Sequence, residues 1–477
     1  MSSGLTVLTD QQIRYVLENL TVEELEGFRS ELRQTLHQYS TGAQINGDEG
    51  PLHQPDSISI HSKATGATTL WMPSSSPGAH AVKVITLPSS ASHDSNSHKP
   101  SSRPTGAITL FSPSGRPVGL LDASTLTAFR TALASACLLV RRDHVRTVTV
   151  FGSGEQAYWH VRLALKLRGS TIKQVNIINR KFSDASKELL KRFYQAPSSI
   201  KVAEGWASTE FSILTPQYKE YHRLLAEHVS SADVIFCCTP STVPLFDHTI
   251  LTSHEGRRKG RLIVAIGSYT PGMRELPVEL LKQATKPHEE KHFHFHKHAI
   301  EGGVVVVDTL DGALKEAGEI IEAGLNPRQL VELGELVMIQ SIVNSEEEPG
   351  VDSSSTLALP SAEFENLDLA SPSAMSTVYG STDDVTKLSH PSSRASSRAP
   401  SPSSRRKSAT FPKLHKRTSS YGGSREKKDK DNHLARWLQK GNVIYESVGL
   451  GLMDLAVGVE LIQFARERGV GTHIEGF

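Results

Sequence analysis

Cysteine is scarce: the 477-residue chain has three, Cys137, Cys237 and Cys238. Three thiols so placed exclude a disulfide framework and lack metal-ligand spacing, which suits a reducing compartment, most simply the cytosol. Excess charge is lacking too. A net charge of +1 gives no electrostatic reason to expect a nucleic-acid partner. Long apolar runs are missing. The strongest, such as Val304–Val307, has the length of a strand, so no segment reads as a membrane span. The opening "MSSGLTVLTDQQ" has no basic region followed by an apolar one, so no secretory signal is expected.

Acid is absent from one whole tract. Between Asp384 and Glu426 there is none, while Ser, Pro and Arg abound, as in "SSRASSRAPSPSSRRKSATFPKLHKRTSS". Such a stretch cannot bury enough apolar area to offset its ordering entropy, so residues 344–432 read as a disordered insertion. Within 390–424, Ser408 in "RRKS" and Ser419 in "KRTSS" fit basic-directed kinases, and Ser401-Pro402 a proline-directed one.

What is present on either side is regular. Residues 9–39 read as helical, with Thr21 and Glu24 forming a capping box ahead of Leu25, Phe28, Leu32 and Leu36. Residues 40–117 hold strand-like pieces ("SISIHS", "ATTLWMP", "AVKVITLP", "AITLFSP") cut by Ser, Pro and Gly, with a loose loop over Ser89–Ser102. An Ala/Leu-rich helix starts at Ser124. From "RTVTVFGSG" onward, short apolar strands alternate with helices, through "QVNIINR", "ADVIFCCTP", "RLIVAIGS" and "GVVVVDT". That alternation predicts an α/β fold with a parallel sheet and crossover helices. The periodic pattern returns in "LARWLQKGNVIYESVGLGLMDLAVGVELIQFARERGVG".

Between the first of those strands and its helix stands Gly152-Ser153-Gly154-Glu155-Gln156-Ala157, the G-x-G-x-x-A form of a dinucleotide-binding turn. Gly152 permits the tight turn, Gly154 lets backbone approach a pyrophosphate, and Ala157 lets helix and strand pack closely. The helix N-terminus then faces the phosphates. The next strand ends in Asn179, Arg180 and Lys181 where an NAD-binding chain would carry an acid for the ribose 2′-hydroxyl. Two cations and a hydroxyl at Ser183 favour NADP(H), with NAD(H) possible. Cys238, Thr239 and Pro240 follow a parallel strand at its carboxyl end, where such sheets bind ligands, and are expected to border the nicotinamide.

"LDASTLTAFRTALASA" followed by "VTVFGSGEQAYWHVRLAL" resembles the ornithine cyclodeaminase/mu-crystallin family, especially its fungal members. So do Met72-Pro73, "VKVITLP", "ADVIFCCTPSTVPLF", "IVAIGSYTPGMREL", "DTLDGALKEAGEI" and "VGLGLMDLAVG", in order over most of 50–340 and 434–477. The resemblance implies two domains. One is a Rossmann-type NAD(P)-binding domain over 129–343. The other is a mixed α+β substrate and dimerisation domain made from both chain ends, 1–128 and a helical 433–477. It implies a homodimer acting on a small amino or imino acid. It places the carboxylate-binding arginine at Arg130, whose planar fork suits that anion, and the active-site lysine at Lys83.

Three positions depart from the cyclodeaminase pattern. Leu70 replaces the acid two residues before Met72-Pro73, Tyr269 replaces the aspartate of the G-x-D-x-P-G segment, and Ser57 replaces an early substrate arginine. Ornithine cyclisation needs a carboxylate to hold the distal amine, and neither Leu70 nor Tyr269 supplies one. Imine reduction needs a carboxylate clamp, a proton source and a hydride, which Arg130, Lys83 and NADPH would provide, with Tyr269 lining the pocket. The expected activity is therefore NAD(P)H-dependent reduction of cyclic ketimines. Ornithine cyclodeamination, or a non-catalytic NADP-binding role, stands as the alternative. His292, His294, His296 and His298 alternate as strand-borne metal ligands would, but a Pro-containing break precedes them and a solvated loop is expected. Cys237-Cys238 reads as buried thiols rather than a redox pair.

Overall fold

Two kinds of apolar pattern build two sheets. The computed structural model describes residues 4–46, 50–87, 104–286, 302–337, 435 and 437–477. The histidine run, the whole loop over Ser89–Ser102, and the 344–432 tract with its three serine sites lie outside the described residues. In chain order the strands are β1 (Gly4–Leu8), β2 (Ile58–His61), β3 (Thr68–Ser76), β4 (Ala79–Leu87), β5 (Thr105–Phe111), β6 (Pro117–Asp122), β7 (Thr147–Phe151) and β8 (Gln174–Ile178). They continue as β9 (Glu210–Leu214), β10 (Val234–Cys237), β11 (Leu262–Ala265), β12 (Val304–Val307), β13 (Leu330–Glu332), β14 (Val443–Glu446) and β15 (Thr472–Glu475).

Where apolar and polar residues alternate, one sheet face is covered. β4 alternates buried and half-buried positions along its length, and it is an inner strand of a seven-stranded mixed sheet ordered β15-β1-β6-β5-β4-β3-β2. Where the apolar run is continuous, both faces are covered. β10, β11, β12 and β14 are buried at every position, and they lie within an eight-stranded sheet ordered β13-β12-β14-β11-β10-β7-β8-β9. Every pairing in that second sheet is parallel. It is the parallel sheet that the alternating pattern predicts.

Two domain boundaries need correction. The expected break at 128/129 falls inside one continuous helix, α3 (Ala123–Leu139), which follows α1 (Asp10–Glu18) and α2 (Val22–Asn46). Nearly all of α3 is buried, because it packs against both α4 (Glu155–Arg168) and the C-terminal helix Gly451–Glu467. A helix covered all round is a shared core element. Its Phe129 meets Trp159 edge-to-face at 5.2 Å, and truncating so buried a ring costs about 3–5 kcal/mol. The second correction concerns 433–477, which is not wholly a helical part of the substrate domain. "VIYE" forms β14 between β11 and β12 in the parallel sheet, since its buried apolar residues continue that sheet's core.

The amino-terminal helical stretch is two helices. The break precedes Thr21, whose backbone amide donates to Glu24 Oε2 at 2.7 Å while Glu24 N donates to Thr21 Oγ1 at 3.1 Å. This is the predicted capping box, placed at the start of α2. The C-terminal helix is capped from far away, its Leu452 amide donating to Gln54 Oε1 at 2.9 Å. Among the described residues, no helix is long and apolar enough to cross a membrane.

Candidate active site

The glycine turn joins β7 to α4. Gly152 has φ +104°, and a Cβ there would lie 2.7 Å from the carbonyl oxygen of Cys238 and 3.2 Å from Thr239 Cγ2. Only glycine fits both the backbone and the space. Gly154 is different. Its φ is −87°, and a Cβ there would meet nothing within 4 Å, so the chain itself does not demand glycine. Gly154 is also the N-cap of α4 and offers no side-chain cap. First-turn amides without a cap, under open space, fit the pyrophosphate of a dinucleotide. Ala157 is fully buried at the helix–strand contact. Glu155 would repel phosphate if left alone, but Arg14 holds it at 3.0 Å and Arg192 at 3.1 Å. Gln156 gives its carbonyl to His160 Nδ1 at 2.8 Å, which ties the turn to the core.

Asn179, at the end of β8, reaches back to the turn. Its Nδ2 donates to Ser153 Oγ at 3.0 Å, Ser186 Oγ at 2.6 Å and the Lys181 carbonyl at 3.1 Å. It therefore fixes the two loops against each other. Ser183 is the N-cap of the next helix, α5 (Asp184–Gln195), accepting from Ser186 N at 3.3 Å. That role accounts for its hydroxyl oxygen without a ligand. Arg180 and Lys181 are exposed, and neither forms an ion pair among the described residues.

At the carboxyl end of β10, Cys238 N donates to the Phe151 carbonyl at 3.0 Å, so the Cys238–Pro240 loop lies against the glycine turn. One carboxylate organises it. Glu275 Oε1 accepts from Thr239 N at 2.6 Å and Thr239 Oγ1 at 2.8 Å. Its Oε2 accepts from Ile266 N at 3.1 Å and Gly267 N at 2.7 Å. Burial pushes the Glu275 carboxyl up to about 7, against the pull of those donors and with help from Glu319. Burial likewise raises the Cys237 and Cys238 thiols well above their ordinary value. Both are free cysteines.

The other half of the site is a buried ion cluster. Lys83 lies on β4 with its side chain on the covered face, opposite Met72 of β3 and Ile108 of β5. It is 2% exposed, which removes the edge-strand explanation for a lysine in a strand. Its Nζ sits 2.5 Å from Asp454 Oδ2. The other oxygen of Asp454 accepts from Arg130 Nε at 3.1 Å. Lys83 is pushed down to about 8, chiefly by burial and then by Arg130, with Asp454 opposing. Two cations thus share one carboxylate in an enclosed place. Buried Asp308 is the next carboxylate, acting on Arg130 through space without an ion-pair contact.

The Nη edge of Arg130 carries no carboxylate. Its Nη1 meets Met453 Sδ at 3.4 Å. Gly449, with φ +85°, passes so close that a Cβ would come within 2.8 Å of Nη2. Asp308 holds that backbone down, accepting from Ser447 Oγ at 2.7 Å, from Gly449 N at 2.8 Å, and from the Tyr445 hydroxyl. Leu70 shares the covered face, paired with Ile85 two residues along from Lys83. Tyr269 is half-buried in the loop after β11, its phenol raised by burial, and no hydrogen bond ties it to Lys83 or Arg130 among the described residues. Ser57 immediately precedes β2.

The site therefore unites Lys83 and Arg130 and gathers Gly152, Ser153, Asn179, Cys238 and Thr239 at the turn, while no hydrogen bond among the described residues ties Tyr269 to either group. Asp454, Glu275 and Asp308 were missed by the sequence reading. Asp454 had one signal, a lone charge within the apolar run "GLMDLAVGV".

With this geometry in place, the relatives fall into one group. The ornithine cyclodeaminase/mu-crystallin family profile matches residues 16–210. An uncharacterised protein of Saccharomyces cerevisiae is 30% identical over 270 residues, 51% of this chain and 66% of its own. A Delta(1)-pyrroline-2-carboxylate reductase of Bacillus cereus is 26% identical over 283 residues, 57% of this chain and 70% of its own. The structure of Thermococcus litoralis Delta(1)-pyrroline-2-carboxylate reductase, in complex with NADH and L-proline, shares the fold with a TM-score of 0.57 and 16% identity. It covers 98% of this chain and 99% of that one. Over residues 16–210 the chain is similar to the ornithine cyclodeaminase/mu-crystallin family.

Proposed function

We propose that this chain is an NAD(P)H-dependent reductase of small cyclic imino acids, acting at a carbon that bears nitrogen next to a carboxylate. The observation that carries this reading is the Nη edge of Arg130, free of carboxylates and set beside Lys83 on the shared Asp454. A planar substrate carboxylate matches that edge in a bidentate pair. The turn at Gly152–Ala157 and the loops at Thr239 and Gly267 would hold the dinucleotide. When bound, its reduced nicotinamide supplies the hydride for the imine carbon.

The remaining steps belong to the protein. Arg130 fixes the carboxylate and so orients the ring. The Lys83 ammonium donates a proton to the imine nitrogen and is left neutral. Its pKa of about 8 keeps both forms populated near neutrality, which suits a general acid. Leu70, on the same covered face, offers an apolar wall where a second amine would need a carboxylate, which disfavours ornithine as substrate. Arg180 and Lys181, exposed beside Asn179 and without an ion pair among the described residues, favour the 2′-phosphate of NADPH over NADH.

The face of the seven-stranded sheet away from the C-terminal helix carries Ile58, Ile60, Trp71 and Leu120, exposed by 60%, 54%, 41% and 38%. Side chains of that size on one sheet face fit an isologous contact between two copies of this chain. Light scattering of the purified protein, repeated on Trp71→Glu, tests the homodimer.

The activity is tested by following NADPH oxidation with pyrroline-2-carboxylate, with ornithine and NAD in parallel. Oxidation with the imine supports the reading. Proline and ammonia from ornithine would replace it with cyclodeamination. Cofactor binding without turnover of either would point to a non-catalytic role.

A further inference from the structure

We propose that Asp454 is a positioning residue, resting on the reductase reading above: it keeps Lys83 charged for proton donation and holds the Nη edge of Arg130 toward the substrate. Its carboxylate is fully buried, and each oxygen serves a different cation, Oδ2 at 2.5 Å from Lys83 Nζ and Oδ1 at 3.1 Å from Arg130 Nε. No further oxygen of this group is left to touch a substrate. Its two contacts fix what it does.

The elements packed around Lys83 leave Asp454 with no substitute. From β3 and β5 the register partners are Met72 and Ile108, both uncharged. From α3 comes Arg130, which opposes a second positive charge. From the C-terminal helix comes Asp454. Asp308 is the next carboxylate, but it is spent on Tyr445, Ser447 and Gly449. Without Asp454 two buried cations would face each other with Asp308 acting only from the Arg130 side, and lysine, the weaker base, would give up its proton.

The sign of the effect follows. Asp454 raises the Lys83 pKa while burial and Arg130 lower it. Asp454→Asn keeps the shape and removes the charge, so Lys83 should lose its proton at lower pH. Reduction uses the protonated form, so the alkaline limb of the rate profile should move to lower pH with it. The Nε contact to Arg130 survives as a neutral hydrogen bond, so the substrate KM should change less than kcat.

The experiment is a pH titration of Lys83 by 13C NMR of lysine Cε in the full-length protein, with Lys83→Arg to assign the signal, beside the pH profile of imine reduction. In Asp454→Asn the Lys83 titration should fall by more than about one pH unit, and the alkaline limb with it. Rates at the acid end should converge to within about threefold of the parent. Asp454→Glu should restore both. An unchanged titration, or a rate lowered by one factor at every pH, would overturn the proposal. Arg130→Gln gives an independent check if Asp454→Asn does not fold. It removes the opposing cation, so Lys83 should titrate at higher pH, and no upward movement would overturn the electrostatic account. The titration needs no substrate, so a failure of the reductase reading shows in the assay alone.

Discussion

The two halves of the site are built in opposite ways. The nucleotide half is local: one turn, Gly152 to Ala157, brings a tight bend, an uncapped helix start and a close helix contact within a few residues. On the proposed reading it recognises with backbone amides, and its side chains mostly hold loops together. The substrate half is non-local. Lys83 and Asp454 stand 371 positions apart, on an inner strand of one sheet and a helix from the far end of the chain, and recognition there rests on charge. A backbone-built site tolerates side-chain change but not a Cβ at Gly152. A charge-built site tolerates repacking but not loss of balance among its ions.

That contrast predicts separable failures. The largest concerns Gly152→Ala, which forces a side chain into φ +104° and against the Cys238 carbonyl. NADPH affinity by fluorescence titration should drop about a hundredfold or more, roughly 3 kcal/mol, combining backbone strain with a displaced loop. The Lys83 titration in the same variant should stay where it is. If both halves fail together, they are not independent.

Glu275→Gln is the next test. Glutamine retains one acceptor oxygen and brings an amide donor among four donors, so the Thr239 and Gly267 loops lose their common anchor. The KM for NADPH should rise about tenfold, near the worth of one charge-assisted hydrogen bond, with the KM for imine little changed. Glu275 also carries a pH signature. Its folded pKa of about 7 lies above the unfolded value near 4.5, so the folded state binds the extra proton between those limits. Its contribution to stability is fully present below about 4.5 and is lost as pH rises through 7. Urea unfolding of the variant should lack that slope.

The smallest effect is expected at Arg180 and Lys181. Replacing both with alanine should lower the preference for NADPH over NADH by about five- to tenfold, since exposed pairs are worth about 1 kcal/mol. The rate with NADH should be nearly untouched.

The same contrast explains what could be read from the sequence. Gly152, Gly154 and Ala157 announce their roles because spacing along the chain is also spacing in space. The continuous apolar runs of β10, β11 and β12 marked a doubly covered parallel sheet for the same reason. β14 was hidden because it returns to that sheet after the long 344–432 tract, so no neighbouring strand–helix rhythm marks "VIYE" as its strand. The boundary inside α3 failed because a helix shared by two cores has no compositional seam. Lys83 and Arg130 were singled out only through family resemblance, since each alone reads as a surface charge. Asp454 became visible as their partner only when the fold brought the two chain ends together. Ser183 has a local role that the motif did not announce, as the N-cap of α5.

The central claim is that Arg130 holds the carboxylate of the substrate. The direct test compares pyrroline-2-carboxylate with the same ring lacking the carboxylate, 1-pyrroline, in the parent and in Arg130→Ala. The account predicts that the parent favours the carboxylate substrate by about a thousandfold in kcat/KM, roughly 4 kcal/mol, and that Arg130→Ala removes most of that preference while changing 1-pyrroline reduction little. An Arg130→Ala variant that slows both substrates by the same factor would contradict it.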